Sequence, residues 1–400
     1  MSAPAVQIPA VQIPAVQIPA VQIPAVQVNG SWQPRLRPVV EAFANNFVRG
    51  DLGASFAVVQ NGELVVDIWG GHLDVERTQP WQQDTIVNVY SSTKTMTFLA
   101  ALLLADRGQL DLHAPVARYW PEFAANGKQN VKVSHLLAHS AGLSGLEQPV
   151  APHDLYDWDK ITGLLAAQAP WWEPGSASGY HAITQGYLIG EVVRRITGKS
   201  FGAFLREEIT GPLGTDFHVG VAPQHDARIT YLIPAGSGTA ETDAAPDSIA
   251  ARTMRNPPIT ALQSREIAWR RAEIPAGNGH GNARSLALTQ AALVGGGKVN
   301  GRPLLSLAGA RRALEKQISG TDLVLGVPAT FGMGYGLRSA ELPISPNENA
   351  CFWGGWGGSI VVIDFDAQLV FAYVMNQMGE GTVGDLRGGS VGAALYGAIA

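Results

Sequence analysis

The chain has 400 residues, 46% hydrophobic and 15% charged, a balance that builds a sizeable core in one large domain or two to three small ones and excludes a disordered chain. Lysine and arginine number 28 against 33 acidic residues, a formal net charge of −5, which leaves no electrostatic footprint for nucleic acid. The single cysteine, Cys351, excludes an internal disulfide and a Cys-based zinc site, and no apolar run reaches membrane-spanning length.

Residues 4–28 repeat Pro-Ala-Val-Gln-Ile, and Pro24 opens a variant that ends at Val28. Proline at every fifth position blocks a regular helix and removes donors from a strand. Residues 1–30 are therefore expected to be a mobile, extended tail; an apolar arm that docks on a neighbouring subunit is the alternative. This N-terminus has no basic segment followed by an unbroken apolar stretch, so the sequence reads as cytoplasmic, with no membrane partner. Val39, Val40, Phe43 and Phe47 then share a helical face that Gly50 ends. Ser55–Val59 and Leu64–Trp69 flank Asn61-Gly62, the signature of a β-hairpin. Phe98, Leu99, Leu102 and Leu103 recur at helical spacing, predicting a helix from about Ser91 to Arg107 that stops at Gly108. Further helices are predicted over Leu155–Ala169, Ile183–Thr197 (closed by Gly198) and Ala283–Val294. Residues 221–260, irregular and rich in Pro, Ala, Asp and Thr, read as a flexible loop or lid. Ile360–Phe365 and Leu369–Asn376 form a second hairpin, followed by a helix over Asp385–Ala398. Strands at both ends predict an α/β (α+β) fold. One sheet is built from residues 31–104 and 331–400, and a mostly helical part is inserted at about 105–330.

Ser91 and Lys94 form the chain's only Ser-x-x-Lys pair. Three apart on a helix, they share a face. A serine beside an amine is a nucleophile with a base in reach, and a helix N-terminus adds unpaired N–H groups where negative charge would develop. The pattern alone fits an ordinary helix start with a solvated lysine equally well. Burial would lower the proton affinity of Lys94, and a phenol beside an ammonium ionises more easily. Tyr180 is thus the second base candidate, able to share one proton with Lys94. In Phe352–Ser359, four glycines let the backbone approach a ligand, and an N–H from this stretch could complete an oxyanion hole with that of Ser91. His280, in the loop Gly277–Asn282, either lines the pocket or stabilises the turn. His135 and His139 are four apart, but no glutamate follows His135 and no third ligand is evident, so no metal is expected.

Four stretches in this order carry a resemblance to a known family: Ser91-Ser92-Thr93-Lys94, His135–Leu143, Pro174-Gly175 followed by Tyr180, and Trp353-Gly354-Gly355. Together they resemble the serine β-lactamase and penicillin-binding-protein-like hydrolases, and are most similar to the family VIII carboxylesterases, relatives of class C β-lactamases. The resemblance spans about residues 34–398. It implies an antiparallel sheet flanked by helices, with the site between sheet and helical part, and no cofactor. It also implies that Ser91 is acylated, that Lys94 and Tyr180 deprotonate it and then activate water, and that the backbone N–H groups of Ser91 and Trp356 bind the oxyanion. Trp353, Gly354 and Gly355 would line the substrate, as His280 would. Trp353 stands where β-lactamases have the lysine of Lys-Thr-Gly, and Ala182 stands where many have asparagine two residues after the tyrosine. Both departures imply an apolar pocket, favouring small to medium neutral carboxylic esters over β-lactams. The resemblance thus implies a serine carboxylesterase with a small-molecule ester substrate. An acyltransferase would differ only in its acceptor, and a β-lactamase or D-aminopeptidase would use the same machinery. The intact Ser91, Lys94 and Tyr180 oppose a purely binding role.

Overall fold

The computed structural model describes residues 26–239, 244–299 and 301–400. Its strands are β1 (Val28–Trp32), β2 (Gly53–Gln60), β3 (Glu63–Gly71), β4 (Val87–Asn88), β5 (His280–Gly281), β6 (Lys298–Val299), β7 (Arg302–Pro303), β8 (Ile318–Thr321), β9 (Pro328–Phe331), β10 (Gly336–Leu337), β11 (Ala350–Gly354), β12 (Ile360–Asp364) and β13 (Leu369–Met375). Nine of them form one antiparallel sheet in the order β1-β3-β2-β13-β12-β11-β10-β9-β8. Both predicted hairpins are present. Asn61 and Gly62 each take a positive φ, 52° and 80°, which suits the primed turns that match strand twist. The two ends of the chain meet where Ala57 pairs with Ala372 in the β2–β13 ladder.

Side-chain alternation along β2 sets the layers. Phe56 points to one face, against Phe371 and Tyr373 of β13. There the helices Arg37–Val48 and Leu386–Ile399 cover it with Phe43 and Tyr396. Ser55 points to the opposite face, where its Oγ accepts the N–H of Ala283 (3.2 Å) at the start of the helix Ala283–Gln290. That helix lies in the stretch expected to be the helical insert, yet it packs on β2 and β13. β8 and all but the last residue of β9 also lie before residue 331, and the two strands form the far edge of the sheet. The sheet layer therefore begins well before the expected boundary. At the other end, the tail boundary at residue 30 falls inside β1; the expectation of a mobile tail otherwise falls on residues 1–25, which lie outside the described residues.

The central helix is Lys94–Asp106, buried on all sides from Lys94 to Leu104, as befits a helix apolar all round. Each fully buried Leu or Phe in it contributes about 1.5–3 kcal/mol relative to exposure. The helix Thr184–Thr197 packs against it and ends at Gly198 with φ 70°. The expected helix start at Ser91 is instead a 3-10 turn, Tyr90–Thr93, and the α-helix begins at Lys94.

Candidate active site

Ser91 sits in that 3-10 turn, directly after Tyr90, whose φ of +42° is unusual for a bulky residue. Such a conformation costs on the order of 1–3 kcal/mol and must be held by its surroundings. Several bonds hold it. Thr93 Oγ1 donates to the Tyr90 carbonyl and accepts the Gly279 N–H at 2.9 Å. Val89 N–H donates to Gly279 O (2.9 Å). Ser359 Oγ lies 2.9 Å from both Ser92 Oγ and Val89 O, which ties the glycine-rich segment after β11 to the Ser91 turn.

Lys94 Nζ is fully buried and lies 3.1 Å from Ser91 Oγ, 3.0 Å from Tyr180 Oη, 2.6 Å from Ala182 O and 2.9 Å from Ala276 O. Tyr180 Oη donates to Ser91 Oγ at 2.5 Å. Burial without an acidic partner holds the lysine well below the ordinary ammonium range. Burial also raises the Tyr180 phenol, which the hydrogen bond to Ser91 opposes and Asp322 reinforces. Burial thus favours the neutral form of each partner, and the proton the two were expected to share is drawn toward the phenol. The Ala182 and Ala276 carbonyls hold the Lys94 nitrogen within reach of both the Ser91 and the Tyr180 hydroxyl.

Tyr180 is fixed from behind. His181 N–H donates to His139 Nδ1 (3.0 Å), Gly179 N–H to His139 O (2.9 Å), and Tyr180 N–H to Asp322 Oδ1 (2.9 Å). His181 Nε2 accepts the Leu143 N–H (3.2 Å), which places its proton on Nδ1, 2.6 Å from Gly179 O. Burial depresses both imidazoles, His139 well below its usual range and His181 to about 4. His139 thus packs and accepts hydrogen bonds, and His135 lies apart as a helix-start residue.

Tyr90, Ser91, Tyr180 and Trp356 open onto a cavity whose wall also includes Leu146, Leu155, Ile161, Tyr187, Met254 and Ile259. No charged side chain lines it among the described residues. Neither the Ser91 nor the Trp356 backbone N–H donates to another group among the described residues. Trp356 packs on Tyr90, ring centroids 5.0 Å apart. The stretch expected to be a flexible lid, of which residues 240–243 lie outside the described residues, supplies Thr253, Met254, Asn256, Pro257 and Ile259 to the cavity wall. It is bonded in place. Thr253 Oγ1 lies 2.6 Å from Ser144 Oγ, and Asn256 donates to Leu146 O (2.7 Å) and Gln148 O (2.9 Å).

Four expected substrate contacts do not reach this cavity. Trp353 is buried behind Tyr180, stacked on His139 with ring centroids 5.2 Å apart. A Cβ on Gly355 would lie 2.2 Å from Val89 O, and one on Gly354 2.5 Å from Gly384 N. These glycines let backbone approach backbone, not ligand. His280 is buried in the β4–β5 ladder, its Nδ1 2.8 Å from Asn278 O and its pKa pushed down to about 3 by burial. Ala276, the residue just before its loop, serves the site through its carbonyl. Elsewhere, Asp216, His218 and His225 bring ligand atoms within 4.8 Å of one another. The Arg228 guanidinium binds both Asp216 oxygens (2.6 and 3.1 Å) and His225 Nδ1 (2.7 Å), so an internal cation already neutralises that carboxylate. Sequence reasoning did not find Asp322, the two carbonyls on Lys94 or the Thr253–Ile259 wall. A lone aspartate and backbone oxygens carry no pattern.

The sequence matches the Beta-lactamase family over residues 41–395. Esterase/beta-lactamase LipL of Mycobacterium tuberculosis is 36% identical over 372 residues, 88% of this chain and 83% of that protein. The crystal structure of a family VIII carboxylesterase is similar at 41% identity and a TM-score of 0.88, covering 93% of this chain and 100% of the other. A penicillin-binding protein homologue from Caulobacter crescentus is 37% identical with a TM-score of 0.88 over 93% and 100%.

Proposed function

This chain belongs to the Beta-lactamase family, and from that membership we propose that it is a serine carboxylesterase hydrolysing small to medium neutral esters through an acyl-Ser91 intermediate. The observation that carries the substrate class is the cavity: apolar, uncharged, and opening directly onto Ser91. A β-lactam carboxylate would meet no cation there, whereas a neutral ester loses little on desolvation. The esterase names of LipL and of the family VIII structure support the same reading.

In this reading Ser91 Oγ attacks the ester carbonyl, and its proton passes to Lys94 Nζ, directly or through Tyr180 Oη. The Ser91 and Trp356 N–H groups, free of internal partners among the described residues, receive the oxyanion. The leaving alkoxide takes a proton from Tyr180, which is refilled from Lys94, so the pair ends as it began. Water then repeats the sequence on the acyl enzyme. We also propose a cytoplasmic location, which its one cysteine, Cys351, buried in the fold, supports; no helix among the described residues is long and apolar enough to cross a membrane.

The test compares short-chain p-nitrophenyl esters with a chromogenic cephalosporin, using the wild type and Ser91→Ala, with intact-mass detection of the acyl adduct. Ester turnover and adduct should both vanish in Ser91→Ala. Wild-type rates in that variant would refute the mechanism; faster cephalosporin turnover than ester turnover would refute the substrate class.

A further inference from the structure

Asp322 follows β8 and is fully buried. Its Oδ1 accepts three N–H groups at 2.9 Å, from Tyr180, Val324 and Leu325. The turn around it is closed by Asp322 N–H to Val327 O (3.0 Å) and docked on the segment before Tyr180 by Leu323 N–H to Ser178 O (2.8 Å). Its Oδ2 is buried with no partner. One oxygen therefore does all the work of the turn, and an asparagine would supply that oxygen equally well. The second oxygen has no part in holding the turn. Of the titratable groups near Tyr180 (Lys94, His139, His181 and Asp322), burial depresses the lysine and both histidines toward their neutral forms, while Asp322 opposes ionisation of the phenol.

We propose that Asp322 is a positioning residue for the reaction: through Oδ1 it fixes the Tyr180 backbone, and its second oxygen, buried and without a partner, acts on the Tyr180–Lys94 pair so that the phenol proton is at hand for the leaving alkoxide. This rests on the reading of Tyr180 and Lys94 as the proton-handling pair. The test measures kcat and KM for a p-nitrophenyl ester from pH 5 to 10 in the wild type and Asp322→Asn. The expected result is a KM within about threefold and a kcat lower by roughly tenfold. Removing a negative charge disfavours every protonated state, so both limbs of the pH profile should move to lower pH by roughly half a unit or more. In a Tyr180→Phe background, Asp322→Asn should cost almost nothing further. If Asp322→Asn fails to fold, Asp322→Ser, which keeps an acceptor in the turn, carries the same readouts. Limbs that stay in place, or a full additive loss in the Tyr180→Phe background, would overturn the proposal. An acyl-Ser91 adduct in the wild type keeps that failure separate from failure of the esterase reading.

Discussion

Tyr180→Phe removes one oxygen and leaves the ring packed against His139 and Trp353. The oxygen has two partners, Ser91 Oγ at 2.5 Å and Lys94 Nζ at 3.0 Å. Neither is orphaned by its loss: Lys94 keeps Ala182 O and Ala276 O, and Ser91 keeps Lys94 at 3.1 Å. Losing a net hydrogen bond costs about 1 kcal/mol, partly offset because a buried hydroxyl no longer needs a partner. Stability should therefore change by no more than about 1 kcal/mol. Activity should not be spared, because the group nearest the serine proton is gone. General acid–base contributions run to roughly 10²–10⁴-fold, or about 2.7–5.4 kcal/mol of barrier. Steady-state kinetics on a p-nitrophenyl ester and a thermal melt read the two quantities separately. Intact-mass spectra after rapid mixing show whether acylation or deacylation has slowed. A variant that keeps more than about a third of the wild-type kcat would refute the assignment of Tyr180 to proton transfer.

Gly355→Ala should cut kcat by at least about tenfold and lower stability by roughly 1–3 kcal/mol, because its Cβ would meet Val89 O at 2.2 Å and push the Ser91 turn away from the Trp356 N–H; kinetics alongside a denaturant melt check both. Lys94→Met should abolish turnover and also change how stability depends on pH. Lys94 is depressed in the fold by burial, whereas an unfolded lysine stays protonated up to about pH 10.4. Between those limits the unfolded chain binds the extra proton, so this group makes stability rise with pH. In Lys94→Met that rise should disappear, and the variant's advantage should be largest at the acid end of the window, as urea melts at several pH values would show.

How much of this was legible in the sequence follows from what leaves a pattern. The hairpin at Asn61-Gly62 and the apolar periodicity of Lys94–Asp106 were readable because turn chemistry and helical spacing are local. Ser91, Lys94 and Tyr180 were readable as a set, and the structure brings their polar atoms within 3.1 Å of one another. The sheet boundary was misread because β8, β9 and the helix Ala283–Gln290 join the sheet through long-range pairing that short strands do not announce. Trp353 was misplaced for a related reason. Its position shortly before the strand Ile360–Asp364 was visible, but which side of the backbone faces the cavity depends on packing against His139. Protonation of the Tyr180–Lys94 pair depends on burial, which the motif does not encode.

The β2–β13 ladder joins residues 54–60 to 369–375, and that pairing has a price in the order of synthesis. β2 is buried along nearly its whole length, so it cannot rest stably until its distant partner has emerged. At about 5–20 residues per second, a gap of this length keeps the nascent hairpin waiting for roughly 15–60 s with one apolar edge unpaired. An open edge of that kind recruits other chains. Nascent-chain crowding and chaperone supply, not the chemistry at Ser91, should therefore set the yield of active protein. Any truncation that removes β13 should drive the remainder into aggregates rather than into a smaller working enzyme.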